Sequence, residues 1–340
     1  MTDATEPPGL HADARTYLAV GSEDDARAWL GRTVVRDAPY PVNQPEIGRF
    51  CAMVEDPDEN HWPTDAARQR YGGVVSPPGM FMVWGFPLPW RPEGRPEHAP
   101  VLALEVPLPG TTLINVATTT DFTAPMRDGD LLSFRERLTD LSTRKTTPLG
   151  TGHFLTTVTD ACRSDGTHVG TNENVMFRYQ AAGSGDPPPQ DDGGGQPRPA
   201  APAAAGAPLP EVRLHLTATR TAAMVPAGTR DLFPGHHDAA YARSQGVADV
   251  YVNTMFLHGV VDRVGKAWAG PDAWLRRRRL RMHAPACVGT TLRTDGRVTA
   301  RHRRDGRAVA ELAIDVLADD RLAATSTLTL DLDGHHGAPT

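Results

Sequence analysis

The sequence predicts an α+β protein made of two copies of one unit, each a central apolar helix wrapped by an antiparallel sheet. Three observations lead there. Residues 181–210 read AAGSGDPPPQDDGGGQPRPAAPAAAGAPLP, with almost no large apolar side chain. Such a stretch cannot offset its ordering entropy by burial, so it predicts a linker between two folded parts. The run starting at Phe122 and the run starting at Met282 share the skeleton x-x-Ala-Pro-x-x-x-Gly-x-x-Leu. Each is followed by strand-like alternation, which makes an internal repeat the simplest account. The implied organisation is a flexible tail over 1–22, an N-terminal unit over 23–180, the linker over 181–210, a C-terminal unit over 211–333 and a short tail over 334–340.

In the N-terminal unit, Ser76-Pro77-Pro78-Gly79 precedes the apolar run 80–86. Prolines ahead of such a run predict a helix start. Strands are expected over 130–141, 152–160 and 168–179. In the C-terminal unit, Leu257, Val260, Val261, Val264 and Trp268 have near-helical spacing, and His258-Gly259 marks the expected helix start. Leu312, Ile314 and Val316, then Leu328, Leu330 and Leu332, alternate with polar or small residues. Asp305-Gly306 is the expected hairpin turn.

Charge and cysteine usage narrow the function classes. Lys plus Arg is 35 against 41 Asp plus Glu, a net charge of −6. A weakly acidic chain is a poor general nucleic-acid binder. Cys51, Cys162 and Cys287 are too few and too scattered for a disulfide framework or a zinc pattern, which favours a reducing cytoplasm. Residues 1–8 are acidic and polar, unlike a signal peptide. Residues 71–90 carry no charge, but four prolines and four glycines argue against a membrane span and for a short buried helix between turns.

The most informative run is Asp231-Leu232-Phe233-Pro234-Gly235-His236-His237-Asp238. An acid and an imidazole lie five residues apart across a proline and a glycine, so both side chains can project into one cleft. A helix start at His258-Gly259 would bring unpaired N–H groups and the positive end of a helix dipole. Histidine is the natural proton carrier near neutral pH.

An ordered set of D-x-x-P-x-H followed by H-G at an apolar helix resembles the MaoC-like (R)-specific enoyl-thioester hydratases and dehydratases. The left half resembles the N-terminal domain of the two-domain members, through Leu30-Gly31-Arg32, Tyr40-Pro41-Val42, Glu46-Ile47-Gly48-Arg49-Phe50 and Ser76-Pro77-Pro78-Gly79. The resemblance implies a double hotdog fold and a hydro-lyase acting on 3-hydroxyacyl or 2-enoyl thioesters. The thioester handle would be coenzyme A or a carrier-protein phosphopantetheine, with no metal or redox cofactor and with a homodimer expected. Carried over residue by residue, Asp231 and His236 would be the catalytic pair and Gly259 the donor to the thioester carbonyl. His237, Phe233, Asn253 and His258 would contact substrate.

Two features qualify the match. Phe233 stands where the family usually has asparagine. Either His237 or Asn253 substitutes, or the activity shifts toward bulky acyl or polyketide thioesters. Aligning the two copies on their trailing acids, Asp65 and Asp238, puts Asp58 over Asp231 and Pro63 over His236, which makes the left half non-catalytic and an acyl-chain cradle. Asp56 and His61 form a rival pair at the same spacing, without Pro-x between them or His-Gly after them. Arg276 to Arg279 and Arg281 are either a solvated strand face or a dock for a phosphate-bearing or acidic carrier. Trp84, Trp90, Trp268 and Trp274 are expected in the core or pocket wall. Met80, Met82 and Met255 are core residues by default, or line an acyl tunnel. A hotdog thioesterase, a non-catalytic acyl-binding partner subunit and a polyketide cyclase on the same scaffold stay open.

Overall fold

A computed structural model describes residues 18–94, 96–181 and 206–334. The tail over 1–17, most of the linker, and His335-His336 lie outside the described residues. The expected tail ends sooner than its sequence suggests. Leu18 is buried and the Ala19 N–H bonds to the Leu104 carbonyl. The expected linker also ends sooner, because Pro208 bridges to Arg297 and buried Leu209 bonds through its N–H to the Gly296 carbonyl.

Among the described residues eleven strands form one antiparallel sheet. They are β1 (Thr33–Asp37), β2 (Thr112–Phe122), β3 (Leu132–Leu141), β4 (Lys145–Thr147), β5 (Gly150–Arg163), β6 (His168–Ala181), β7 (Arg213–His215), β8 (Trp274–Met282), β9 (Thr291–Arg304), β10 (Arg307–Ala318) and β11 (Arg321–Asp331). Their order is β1-β3-β5-β6-β2-β8-β11-β10-β9-β7, with β4 on β5. The second half of that order repeats the first in reverse, as two copies joined by their equivalent strands would. At the β2–β8 seam Ala117 pairs with Arg281, Thr119 with Arg279 and Asp121 with Arg277. In the Ala-Pro repeat Thr119 and Arg279 are equivalent residues, so the pseudo-twofold axis passes between them.

The repeat is exact in its hydrogen bonds. After β2 the N–H of Gly129 bonds to the Val42 carbonyl at 2.8 Å, and after β8 the N–H of Gly289 bonds to the Leu216 carbonyl at 2.8 Å. Both glycines have left-handed backbones, φ +92° and +90°, which suits a residue without Cβ.

Among the described residues six α-helices accompany the sheet: α1 (Glu23–Arg27), α2 (Gln44–Val54), α3 (Asp65–Tyr71), α4 (Ala218–Ala223), α5 (Ala239–Ser244) and α6 (Thr254–Ala269). The longest, α6, buries Phe256, Leu257, Val260, Val261 and Val264 within the main core. It begins at Thr254, capped by Asn253, four residues before the expected start at His258. The single helix expected over 80–86 is instead two one-turn 3₁₀ segments, Pro78–Met80 and Val83–Gly85. Pro87 holds Phe86 at ψ 124°, outside the helical region, so no longer helix can form there. Trp84 is fully buried, whereas Trp90 is exposed, against the core position expected for it.

Candidate active site

A cavity of about 2690 Å³ opens between the two halves, lined by the 230–241 loop, the first turns of α6, and inner residues of β2 and β6. Both walls come from one chain. Asp231 and His236 sit in this wall, with His236 Nε2 3.4 Å from Asp231 Oδ2. The loop folds that way for local reasons. Asp231 Oδ1 accepts the Phe233 N–H at 3.2 Å, and the His236 N–H bonds to the Phe233 carbonyl at 3.0 Å. Pro234 starts a single 3₁₀ turn that lifts His236 toward the cleft.

His236 Nδ1 lies 2.9 Å from the Tyr251 carbonyl. A carbonyl only accepts, so Nδ1 carries a proton, and Nε2 is the nitrogen turned to Asp231 and the cavity. The rings of Tyr251 and Phe233 flank the imidazole at 4.9 and 5.8 Å between centroids. Burial raises the proton affinity of the Asp231 carboxyl. The facing His236, the Phe233 N–H and Asn253 outweigh it and hold Asp231 below the usual aspartate value. Asp231 is therefore the ionised, accepting member of the pair.

The other expected site residues divide. Phe233 lines the cavity and its ring also packs edge-on against Tyr241. His237 is exposed at the rim and donates from Nε2 to the Leu232 carbonyl at 3.0 Å, bracing the loop. Asn253 lines the cavity and also caps α6. Its Oδ1 accepts the Phe256 N–H as the α6 cap, and its Nδ2 donates to Thr229 Oγ1 at 2.6 Å. His258 is buried on the cavity wall with Nε2 2.8 Å from Thr118 Oγ1. Burial, helped by Arg278, pushes its proton affinity well down, so it is neutral.

Gly259 is not at a helix end. It is in the second turn of α6, where an N–H is used inside the helix. A Cβ there would lie 2.8 Å from the Phe50 ring, and a Cβ on Gly79 would lie 2.9 Å from the Gly259 nitrogen. Its role is close packing between the halves. The unpaired donors belong to the first turn, at Thr254 and Met255, and both residues line the cavity. Met82 lines the cavity as well, whereas Met80 is buried in the core.

The structure corrects the alignment of the two copies. His61 Nδ1 lies 2.8 Å from the Val75 carbonyl, as His236 Nδ1 does from that of Tyr251. The Asp58 N–H bonds to Asp56 Oδ1 at 3.0 Å, as the Phe233 N–H does to Asp231. The residue before each acid, Glu55 and Arg230, has φ 55°. So Asp56 matches Asp231 and His61 matches His236, and no proline replaces the imidazole. What separates the copies is space. His61 borders a cavity of only about 40 Å³, lined also by Lys266, whose Nζ is 3.4 Å from Asp58 Oδ2 and donates to the carbonyls of Pro271 and Ala273. Replacing His61 with Ala is expected to leave turnover within about twofold while lowering stability by about 1–3 kcal/mol, because the buried Val75 carbonyl loses its donor. Paired initial-rate and thermal-unfolding measurements check this; a turnover loss like that of a His236 variant would contradict it.

The arginine run splits by strand alternation. Arg278 points inward and pairs with Asp262, while Arg277 pairs with Asp121 at 2.7 Å on the outer face. Among the described residues no group of three or more His, Cys, Asp or Glu could hold a metal. No helix among them is long and apolar enough to cross a membrane.

Comparison with known proteins agrees with this architecture. The model of the FAS1-like dehydratase domain region matches residues 28–172. The chain is 34% identical over 125 residues to the 3-oxo-4,17-pregnadiene-20-carboxyl-CoA hydratase beta subunit of Mycobacterium tuberculosis, covering 37% of this chain and 95% of the relative. A solved MaoC-like dehydratase superposes with a TM-score of 0.70 at 19% identity, covering 90% of this chain and 99% of the other. A Mycobacterium tuberculosis protein described as a double hotdog superposes with a TM-score of 0.60 at 14% identity, covering 89% and 96%. The fold is the double hotdog. The chain belongs to the MaoC-like hydratase/dehydratase family and is a hydro-lyase of that type.

Proposed function

We propose that this chain adds water to, or removes it from, the 2,3-bond of an acyl thioester carried on coenzyme A or phosphopantetheine, with Asp231 and His236 as its catalytic pair. The observation that carries the reading is the 3.4 Å approach of His236 Nε2 to Asp231 Oδ2 on the wall of one large cleft. In hydration, a water held by both groups loses a proton to Nε2 as its oxygen bonds to C3. Electrons of the 2,3-bond move to the thioester oxygen, and the resulting enolate is met by the N–H groups of Thr254 and Met255 at the positive end of α6. C2 then takes the proton from Nε2, which restores the carbonyl. Asp231 is ionised, so it orients the water and steadies the imidazolium rather than moving the proton. Dehydration is the same path reversed. The Mycobacterium tuberculosis relative is named as a CoA hydratase, which favours coenzyme A as the handle.

The N-terminal unit, 23–180, supplies the acyl-chain wall through Met82, Phe86, Leu113 and Phe177. A cleft of this size suits bulky acyl groups, in fatty-acid or polyketide metabolism. The test is purified protein with a panel of trans-2-enoyl-CoA and 3-hydroxyacyl-CoA thioesters. Loss or gain of enoyl absorbance without free thiol is the expected result; release of free coenzyme A instead would identify a thioesterase and overturn the reading.

A further inference from the structure

Resting on that reading, we infer that the preferred acyl group carries a hydroxyl or keto oxygen in its tail, recognised by Asn174 and Asn115 of the N-terminal unit. Both line the active-site cavity from inside the sheet. Asn174 on β6 is only 5% exposed, and its Oδ1 has no hydrogen-bond partner among the described residues. The Oδ1 of Asn115, at a register shift in β2, has none either. Thr118, the strand partner of Asn174, is held by His258 beside Gly259 on α6. The polar patch therefore lies beside α6 on the wall of the same cavity.

Buried amide oxygens without partners are rare because each gives up its water for nothing. A plain alkyl tail would leave both oxygens unpaired. A hydroxyl would donate to either Oδ1. A keto oxygen would accept from the amide NH₂ after a half-turn of the same side chain. A site built this way discriminates strongly against the analogue that lacks the oxygen. The surrounding wall of Met82, Phe86, Leu113, Met176 and Phe177 is apolar, so it adds affinity for carbon without adding this preference.

The test compares trans-2-dodecenoyl-CoA with the same thioester bearing one hydroxyl or one keto group at successive tail carbons. At the best position the oxygenated substrate should exceed the plain one by roughly 10–100-fold in kcat/KM. Asn174→Leu should bring that ratio to within about threefold. Asn115→Leu is the second variant should the first fail to fold. Absence of any preference in the wild type, or an unchanged preference in both variants, overturns the inference. If no thioester is turned over, the proposed activity fails separately. Calorimetric Kd values for dodecanoyl-CoA and its hydroxylated and keto forms then decide: tighter binding of an oxygenated form supports the inference, and equal binding overturns it.

Discussion

His236→Ala is expected to lower kcat by roughly 10²–10⁴-fold with little change in melting temperature. In the proposed mechanism the imidazole takes the proton of the reacting water and returns it to C2. Its Nδ1 is fixed by the Tyr251 carbonyl, so no other tautomer competes. Asp231→Asn tests a different part of the same unit. The amide keeps the size of the side chain and can still accept the Phe233 N–H, but it removes the charge that stabilises the imidazolium. A loss of similar size is expected, and the double variant should be little worse than either single one, since the pair acts together. The measurement is single-turnover hydration of an enoyl-CoA, with unfolding curves run alongside. Wild-type turnover by His236→Ala would remove the catalytic pair and leave an acyl-binding module.

The pair was legible because its chemistry is local. Acid, proline, glycine and imidazole fall within six residues, and the turn they form needs nothing from elsewhere. The partner that fixes the imidazole was not legible. It is the carbonyl of Tyr251, a backbone group fifteen residues on, and a backbone group leaves no mark in a sequence. Asn253 was visible as a polar residue near a helix start. Its position ahead of Thr254, which lies four residues before His258-Gly259, is a capping signal.

The internal repeat was legible from two glycines and two Ala-Pro pairs, but its catalytic motif was misaligned. The trailing acids Asp65 and Asp238 look equivalent in one dimension. In space Asp65 begins α3 after the cap Thr64, whereas Asp238 is itself the cap of α5. The loop after the imidazole therefore differs between the copies, and an alignment anchored beyond it slips by two residues. The hydrogen bonds to Val75 and Tyr251 restore the register. Why the left half would be silent is then a question of volume and of Lys266, neither of which a motif comparison reveals.

Arg278→Met is expected to produce the largest loss of stability, about 3–5 kcal/mol near neutral pH, because it strands Asp262 as an uncompensated buried charge. Both side chains are almost fully buried, at 1% and 3% exposure, and Arg278 also donates to Thr120 Oγ1. Strand alternation turns this one arginine inward from a run whose neighbours face out. The loss should depend on pH, with a sign set by the carboxyl. Burial pushes Asp262 up from 3.8 to about 6, with Arg278 opposing and Asp56 adding. An aspartate with a raised folded value binds a proton that the unfolded chain has released. Its contribution to stability is therefore fully present below the ordinary aspartate value and declines as pH rises toward about 6. Without the guanidinium the folded value rises further, so the window of decline extends upward. The variant should lie close to wild type in melting temperature at low pH and fall progressively behind as the buffer is made neutral and then alkaline. A second change, Asp262→Leu, should restore much of the loss by removing the stranded charge. A penalty that is constant with pH, or that the second change fails to relieve, would mean that Arg278 acts through packing alone.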